Sequence, residues 1–343
     1  MESEQQAASL LKLDWRSRIF CSFENKSDLY VTWKGSPANR VAFKVAYYEW
    51  LKSMMAEIDV LLLRYTPYDP LQYKFVRQSK VPVYLVMHTK YVEELAASRG
   101  LIPQVKAFAE RIIGPASIRQ ATGVVAVTEE VGAHETGRSA RSDGFILYPN
   151  GILCDETTEI PDRRTTDVPE IGFVASNFAS WHGLDLLLQN LPLCDMPFRL
   201  HLVGTLTPDL LELAQHDSRC VIHGPLDSQE VTRVLSACWI GLSSLAHFRI
   251  GMKQACPLKT REYLSIGVPV YASYDEVFLD PMPFFHQGPV DLTAIVEFAW
   301  STRNYSRAEV AAAARPHIDK TLLLRQLASE LISRRLHSDL RQA

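Results

Sequence analysis

Short apolar runs alternate with longer amphipathic segments along most of this chain. In the first half, the runs 59–63, 81–88 and 123–128 are almost wholly apolar, as strands buried on both faces are. Segment 28–33 is a further candidate strand, and a long helix is predicted over 38–58. Its predicted buried stripe consists of Val41, Val45, Tyr48, Leu51 and Met55. The alternation predicts a parallel sheet covered by helices on both faces.

A second series of the same kind begins at residue 171. Strands are predicted over 171–176, 198–204, 219–224, 239–244 and 268–273. Helices between them are predicted to begin at Leu184, at an N-cap on Thr207 and at an N-cap on Ser228. In the tail, one apolar stripe predicts a docked amphipathic helix, and it consists of Leu323, Leu324, Leu327 and Leu331.

The two series predict two doubly wound domains. The first domain is expected over 14–150 and the second over 151–315, followed by the C-terminal helix over 316–343. Segment 145–152 ends the first domain in a Tyr-Pro-Asn-Gly turn. The polar segment 153–170 has no period and is expected to be a linker or exposed loop.

Composition narrows the class of protein. The chain of 343 residues is 47% hydrophobic and carries a net charge of −3, so it has no overall basic field for nucleic acid. Its six cysteines are scattered without a C-x-x-C pair, as reduced thiols are. The N-terminal residues show no signal-peptide core, and no apolar run is long enough to span a bilayer. We therefore expect a cytoplasmic protein. Peripheral contact with the inner face of a membrane remains an open alternative.

The stretch 248–275 carries the most specific chemistry. Pro257 precedes a predicted helix that Gly267 ends, and a β-branched strand follows. Lys259 lies in the first turn, where unsatisfied N–H groups and the helix dipole favour an anion. Glu262 shares a face with Lys259 and with Leu258. An ordinary Lys/Glu helix pair would explain the same two charges without any ligand.

The motif LKTREYL-x-x-G-x-P resembles retaining glycosyltransferases of family 4, and in particular a bacterial polysaccharide-biosynthesis branch. The resemblance implies the GT-B fold, in which two Rossmann-like domains face a cleft. It also implies that Glu262 binds the donor ribose. The family's other glutamate, eight positions earlier, corresponds to Gln254, which is expected to meet the transferred sugar without a charge.

Three further elements of the second domain resemble the same family. WHGLD at 181–185 resembles the donor-phosphate loop, with Asn177, Trp181 and His182 as candidate ligands. That loop lacks the usual Arg and Lys, so the available cations are Lys259, Lys253 and Arg249. The Pro-Asn-Gly turn supplies Asn150, and the G-P-L-D loop supplies Gly224 near the nucleobase.

In the first domain, polar residues follow three predicted strands and are expected at one sheet edge. They are Arg64, Tyr65, His88, Thr89, Lys90, Thr128 and Glu129. His88 is the candidate acceptor base, although a structural role explains it equally well. The family's glycine-rich loop is absent from the first hundred residues, so this domain is expected to be shortened or divergent.

The expected reaction transfers a sugar from a UDP or GDP type of donor to a glycan or lipid-linked acceptor. The configuration at the anomeric carbon is expected to be retained. No D-x-D motif is present, so no metal and no cofactor are expected, and His88 and Lys259 are the candidate catalytic residues. Asp69, Asp275 and Glu276 are expected in exposed loops. Two alternatives stay open: a non-catalytic nucleotide-sugar-binding subunit and a nucleotide-sugar epimerase.

Overall fold

The computed structural model of the chain describes residues 1–36, 38–97, 100–154, 162–278 and 282–342. The chain divides into two compact units. The first combines Met1–Pro149 with the C-terminal helix that begins at Lys320, and the second spans Asn150–Asp319. The C-terminal helix therefore belongs to the first unit. Residues 155–161 of the expected linker lie outside the described residues, and its last residue, Glu170, already begins a strand.

The first unit contains a parallel sheet of four strands in the order β3-β4-β5-β6, and a separate parallel pair, β1 and β2. The strands are β1 (Ile19–Cys21), β2 (Tyr30–Thr32), β3 (Leu61–Arg64), β4 (Val83–Met87), β5 (Gly123–Ala126) and β6 (Ile146–Leu147). The three apolar runs of the first half are thus strands, as predicted. The pairing partner of β2, strand β1, was not predicted.

Seven helices surround these strands in the described part of the first unit: α1 (Glu2–Leu10), α2 (Arg40–Met54), α3 (Pro70–Gln78), α4 (Tyr91–Ala97), α5 (Leu101–Gln120), α6 (Glu129–Arg138) and α13 (Lys320–Gln342). Helix α2 is shorter than predicted at both ends. Tyr48 and Leu51 are buried, but the prediction that Val41 and Val45 are buried was wrong, since both are exposed. The two valines lie on the solvent side of α2, whereas Phe43 in the same half packs against Phe20 and Trp33.

The second unit contains a parallel sheet of six strands in the order β14-β12-β10-β7-β8-β9. Its strands, with a short pair formed by β11 and β13, are β7 (Glu170–Asn177), β8 (Arg199–Thr205), β9 (Cys220–Gly224), β10 (Ile240–Leu242), β11 (Gln254–Ala255), β12 (Val270–Ala272), β13 (Asp275–Glu276) and β14 (Phe285–Gln287). Counted along the main sheet, the order is 3-2-1-4-5-6, which is the doubly wound Rossmann order.

The helices of the second unit are α7 (Leu184–Gln189), α8 (Pro208–Gln215), α9 (Ser228–Ala237), α10 (Leu258–Ser265), α11 (Leu292–Thr302) and α12 (Arg307–Ile318). Helix α8 begins as predicted, with Thr207 at the N-cap and Pro208 in the first turn. The N-cap of α9 is Asp227 and not Ser228, because the Asp227 carboxylate accepts from two backbone N–H groups and Glu230 completes a capping box.

The C-terminal helix α13 has the predicted apolar stripe. All four leucines of that stripe are buried, and the helix packs against α1 and β6. Lys320, at its start, is buried beside Glu4, with 3.5 Å between the Lys320 Nζ and a Glu4 carboxylate oxygen. Within the described ranges, no helix is long and apolar enough to cross a membrane.

Candidate functional site

The sheet order of the second unit selects one place for a ligand. Strands β7 and β10 are neighbours, yet the chain leaves them toward opposite sides, so a crevice opens outside their carboxyl ends. The loop after β7 carries the Trp-His-Gly motif at 181–183, and the loop after β10 runs into α10. The two segments that sequence patterns single out therefore meet at the topological switch point.

The two loops are joined by backbone hydrogen bonds. The Leu245 N–H donates to the His182 carbonyl at 2.9 Å, and the Ala246 N–H donates to the Trp181 carbonyl at 3.1 Å. Gly183 makes this approach possible, since it has φ of +74° and a Cβ there would lie 3.0 Å from the Leu245 Cβ. The glycine of the motif is therefore required by packing as well as by conformation.

Helix α10 is held by buried hydroxyl groups. The Thr260 Oγ1 lies 3.0 Å from the Ser243 Oγ and 2.7 Å from the Tyr274 hydroxyl, which itself donates to Ser243 at 2.9 Å. All three residues are buried. This triangle ties the end of β10, the first turn of α10 and the segment after β12 into one rigid group.

A buried ion pair holds the other face of α10. The Arg261 guanidinium binds both carboxylate oxygens of Glu276, at 2.5 and 2.8 Å, and both side chains are almost completely buried. The expectation that Glu276 lies in an exposed loop was therefore wrong, and Asp69 in the first unit is likewise buried. A pair of this kind fixes the orientation of a helix, because separating it would leave a buried charge.

Asn150 completes this framework. Its side-chain N–H donates to the Cys256 carbonyl at 2.7 Å, and its own carbonyl accepts from the Arg261 Nε at 3.0 Å. The amide of Asn150 therefore holds the residues that precede α10. In this arrangement it positions the candidate ligand residues, and its predicted contact with the donor stays a prediction.

Lys259 is the unusual side chain of the site. Its Nζ is buried and has no hydrogen-bond partner in the described part of the chain. The Nζ atom lies over the Phe173 ring of β7, 5.5 Å from the ring centroid. Burial lowers the pKa of Lys259 from 10.5 to about 7, and Glu262 one turn away only partly opposes this. A buried ammonium that lacks a partner favours the binding of an anion.

His182 lies close to the same ammonium. Its Nδ1 accepts a hydrogen bond from the Ala179 N–H at 2.9 Å, so in the neutral ring the proton is on Nε2. Burial lowers the pKa of His182 to about 4, and the charge of Lys259 adds to the effect. At neutral pH, His182 is an uncharged donor in a fixed tautomer.

The charge of Arg249 is already compensated. Its guanidinium binds both carboxylate oxygens of Asp185, at 2.8 and 2.7 Å, and the Ser180 carbonyl at 2.8 Å. The hydrogen bonds from Arg249 lower the pKa of the Asp185 carboxyl. A phosphate ligand would have to compete with this bidentate pair, so the role predicted for Arg249 is less favoured than that of Lys259.

The remaining candidates of the second unit differ in exposure. Trp181, Asn177, Lys253, Leu258 and Glu262 are exposed, whereas Gln254 and Gly224 are half-buried. Partial desolvation raises the pKa of the Glu262 carboxyl, while Lys259 lowers it. Gln254 lies on β11, opposite Asp275 of β13. Gly224 has φ of +71° at the end of β9, and a Cβ at this position would meet no atom within 4 Å.

In the first unit, His88 directly follows β4 at the carboxyl end of the sheet. The side chain is half-buried, and burial together with the nearby charge of Arg64 lowers its pKa to about 4. Two other polar residues of this edge are held by carboxylates. Tyr65 donates to the buried Glu110 at 2.7 Å, and Lys90 pairs with Glu130 at 2.5 Å. Within the described residues, no three His, Cys, Asp or Glu side chains come together as a metal site requires.

Comparison with solved structures gives the fold. A glycosyltransferase from Rickettsia africae superposes with a TM-score of 0.68 at 15% identity, covering 97% of this chain and 94% of its own. HepE from Anabaena, solved with UDP and glucose, gives 0.59 at 15% identity, covering 89% and 86%. An alpha-glucosyltransferase in complex with UDP and a 13-mer DNA containing an HMU base gives 0.57 at 10% identity, covering 96% and 93%.

The fold is that of the GT-B glycosyltransferases. The predicted fold class, α/β with two Rossmann-like domains, is confirmed by these neighbours and by the parallel sheets of both units. No protein-family model matches the sequence, and no curated protein matches it. At identities this low the likeness extends to the fold alone.

The sequence patterns missed the residues that support the site. Asp185, which binds Arg249, and the hydroxyls of Ser243 and Tyr274 were not predicted to take part. Asp185 belongs to the Trp-His-Gly-Leu-Asp motif, so its place on the first turn of α7 could have marked it as the partner of a loop cation. The two hydroxyls carry no comparable signal, since their contact with Thr260 depends on how three separate segments pack.

Proposed function

We propose that the chain is a glycosyltransferase that moves a sugar from a nucleoside-diphosphate donor to a hydroxyl acceptor, with retention and without a metal. The observation that carries the proposal is the buried Lys259 ammonium in the first turn of α10, which has no hydrogen-bond partner in the described part of the chain. It lies at the switch point of a doubly wound sheet, where such folds bind ligands. HepE and the alpha-glucosyltransferase of the same fold were solved with UDP, which supports a nucleotide donor.

The roles of the residues follow from charge and position. When the bond between sugar and diphosphate breaks, negative charge grows on the leaving diphosphate. Lys259 and the free N–H groups at the start of α10 would stabilise that charge, and His182 would donate a hydrogen bond from Nε2. Losing one such contact typically costs about 2.7–4 kcal/mol of transition-state stabilisation. Glu262, one turn along the exposed face, would bind the ribose hydroxyls, and Gln254 would meet the sugar.

His88 is our candidate for the acceptor side. With its pKa lowered to about 4, the imidazole is neutral at pH 7 and can accept a proton, although it is a weak base. Glycans and lipid-linked glycans are the acceptors that the resemblance to the family 4 polysaccharide-biosynthesis branch implies. One structural neighbour was solved with a 13-mer DNA, so DNA is a further acceptor to test, although the net charge of −3 provides no basic field for it.

One alternative has a specific observation in its favour. A non-catalytic nucleotide-sugar-binding subunit would keep the fold but lose charge in the site. Two features agree with this: Arg249 is neutralised by Asp185, and Gln254 stands where the related family has a glutamate. An epimerase would need acidic groups near the sugar and has no comparable support.

Binding and turnover can be tested separately. Calorimetry with UDP, GDP and CDP should reveal one preferred nucleotide, and uridine, guanosine and cytidine serve as matched controls without phosphates. The preferred nucleotide at about 100 times its Kd should stabilise the protein by about 2.7 kcal/mol. No binding of any diphosphate would overturn the proposal. Binding without sugar transfer to glycan, lipid-linked or DNA acceptors would favour the non-catalytic subunit.

A further inference from the structure

The first unit exposes a stripe of large apolar side chains along α5. Four of them recur at helical spacing, with exposed fractions of 85% for Leu101, 67% for Val105, 63% for Phe108 and 60% for Ile112. With 3.6 residues per turn, they fall within about 60° of the helix circumference and extend over about 17 Å. Single exposed apolar residues are ordinary, but a contiguous stripe marks an interaction surface.

The charges that accompany this stripe are basic. Arg111 and Arg119 are exposed on α5, and Lys106 is half-buried. The only acidic residue of the helix, Glu110, is completely buried and binds Arg138 at 2.5 Å. The exposed side of α5 therefore combines large apolar groups with positive charge and presents no carboxylate.

Two lysines, one on α2 and one on α5, approach the same aromatic ring. The Nζ atoms of Lys44 on α2 and Lys106 on α5 lie 6.0 and 5.7 Å from the centroid of one ring, that of Tyr68. The beginnings of the two helices thus meet at the loop after β3. The acidic residue of this loop, Asp69, is buried, and its Oδ2 lies 3.0 Å from the Lys44 Nζ.

We propose that this exposed face of α5, made of the apolar stripe with Arg111 and Arg119, binds the interfacial region of a membrane that contains anionic lipids. Helix α5 would lie in the plane of the interface. Its apolar side chains would enter the boundary between headgroups and acyl chains, and its basic groups would meet lipid phosphates.

The charge pattern favours this occupant over a second copy of the chain. In a two-fold symmetric dimer the same patch meets itself, so the arginines of both copies would be brought together. An anionic surface compensates the same charges. The proposal does not depend on the nucleotide site, because no residue of that site lies on α5 or α2.

Co-sedimentation with vesicles of phosphatidylcholine, with and without phosphatidylglycerol, tests the proposal on the full chain. We expect binding to the phosphatidylglycerol vesicles that weakens as salt is raised. A double variant, Phe108→Ser with Ile112→Ser, should bind at least about tenfold more weakly, given the apolar surface that it removes. Arg111→Gln should weaken binding to anionic vesicles. Leu193→Ser, an exposed leucine of the second unit, is the matched control and should change nothing.

Nucleotide binding by calorimetry should be the same in all of these variants, which separates failure here from failure of the proposed function. The proposal is overturned if wild-type protein does not bind anionic vesicles, or if the double variant and the Leu193→Ser control bind equally. It is also overturned if the double variant keeps vesicle binding but abolishes a dimer seen by light scattering. That result would assign the face to a second copy.

Discussion

Replacing Lys259 by methionine should make the ligand-free protein more stable while weakening its nucleotide binding. Methionine keeps most of the length of the side chain and removes the charge. Burial lowers the Lys259 pKa from 10.5 to about 7. At about 1.36 kcal/mol per pKa unit, this difference sets an upper limit of about 5 kcal/mol on the penalty for burying the charged form. Because water and side chains relax around such a group, we expect a gain of about 1–3 kcal/mol at pH 6.

The effect has a defined pH dependence. At pH 6, below the folded pKa, the native protein carries the buried charge and the full penalty applies. Between pH 7 and 10.5 the unfolded chain binds more protons than the folded one, so wild-type stability gains from Lys259 as the pH rises. The advantage of the methionine variant should therefore shrink toward pH 10. Urea unfolding at pH 6 and pH 9.5 measures both values, and Lys80→Met, at an exposed position, is the control.

Nucleotide binding should change in the opposite sense. Loss of a hydrogen bond to a charged group costs about 1.5–3 kcal/mol, so calorimetry should show the preferred nucleoside diphosphate binding roughly 10- to 150-fold more weakly to Lys259→Met. The uncharged nucleoside should bind equally to both proteins. Wild-type affinity should fall from pH 7 to pH 9 as the ammonium loses its proton, and the variant should lack this fall. A variant that is less stable at pH 6, yet binds the diphosphate normally, would refute the reasoning.

Three further predictions concern the same site. Glu262→Gln should leave the stability unchanged, since Glu262 is exposed, and weaken binding of the nucleotide about tenfold but not that of its 2′,3′-dideoxy analogue; equal loss for both would argue against a ribose contact. Arg249→Ala should weaken diphosphate binding less than Lys259→Met, because Asp185 already compensates its charge, and a larger loss would mean that Arg249 leaves Asp185 on binding. Binding and any transfer activity should survive EDTA, whereas loss that Mg²⁺ or Mn²⁺ restores would reveal a metal site.

The strands of both units were predictable because most of them are short, apolar and buried on both faces. Runs 59–63, 81–88 and 123–128 needed only that pattern. The sequence pattern did not predict helix α5, because its apolar residues lie on the exposed side as well as on the buried side. Pro115 also lies within this helix. The same cause explains the error at Val41 and Val45. A periodic pattern shows which side chains are apolar but not which face of a helix the rest of the protein covers.

The position of the candidate site was also predictable, because carboxyl ends of parallel strands and helix N-termini follow from element order. Its electrostatics were not. Arg249, Lys253 and Lys259 look alike in the sequence as cations near one loop. The structure separates two of them: Arg249 is bound by Asp185, whereas the Lys259 ammonium is buried beside Phe173. These differences depend on contacts between residues about 65 to 85 positions apart, which no local motif encodes.

The environment of Lys259 argues for a ligand more strongly than the motif does. A lysine that served only as a surface pair with Glu262 would keep its ammonium in water, where such a pair contributes little. Here the ammonium is buried, and the hydroxyls of Thr260, Ser243 and Tyr274 hold the helix that carries it. The fold therefore keeps a destabilising charge in a rigid place, although an apolar side chain would be more stable there. Side chains that lower the stability of the folded protein in this way concentrate at functional sites. An anion that binds Lys259 would remove the penalty, so the binding energy of a diphosphate should include the cost that the empty site now bears.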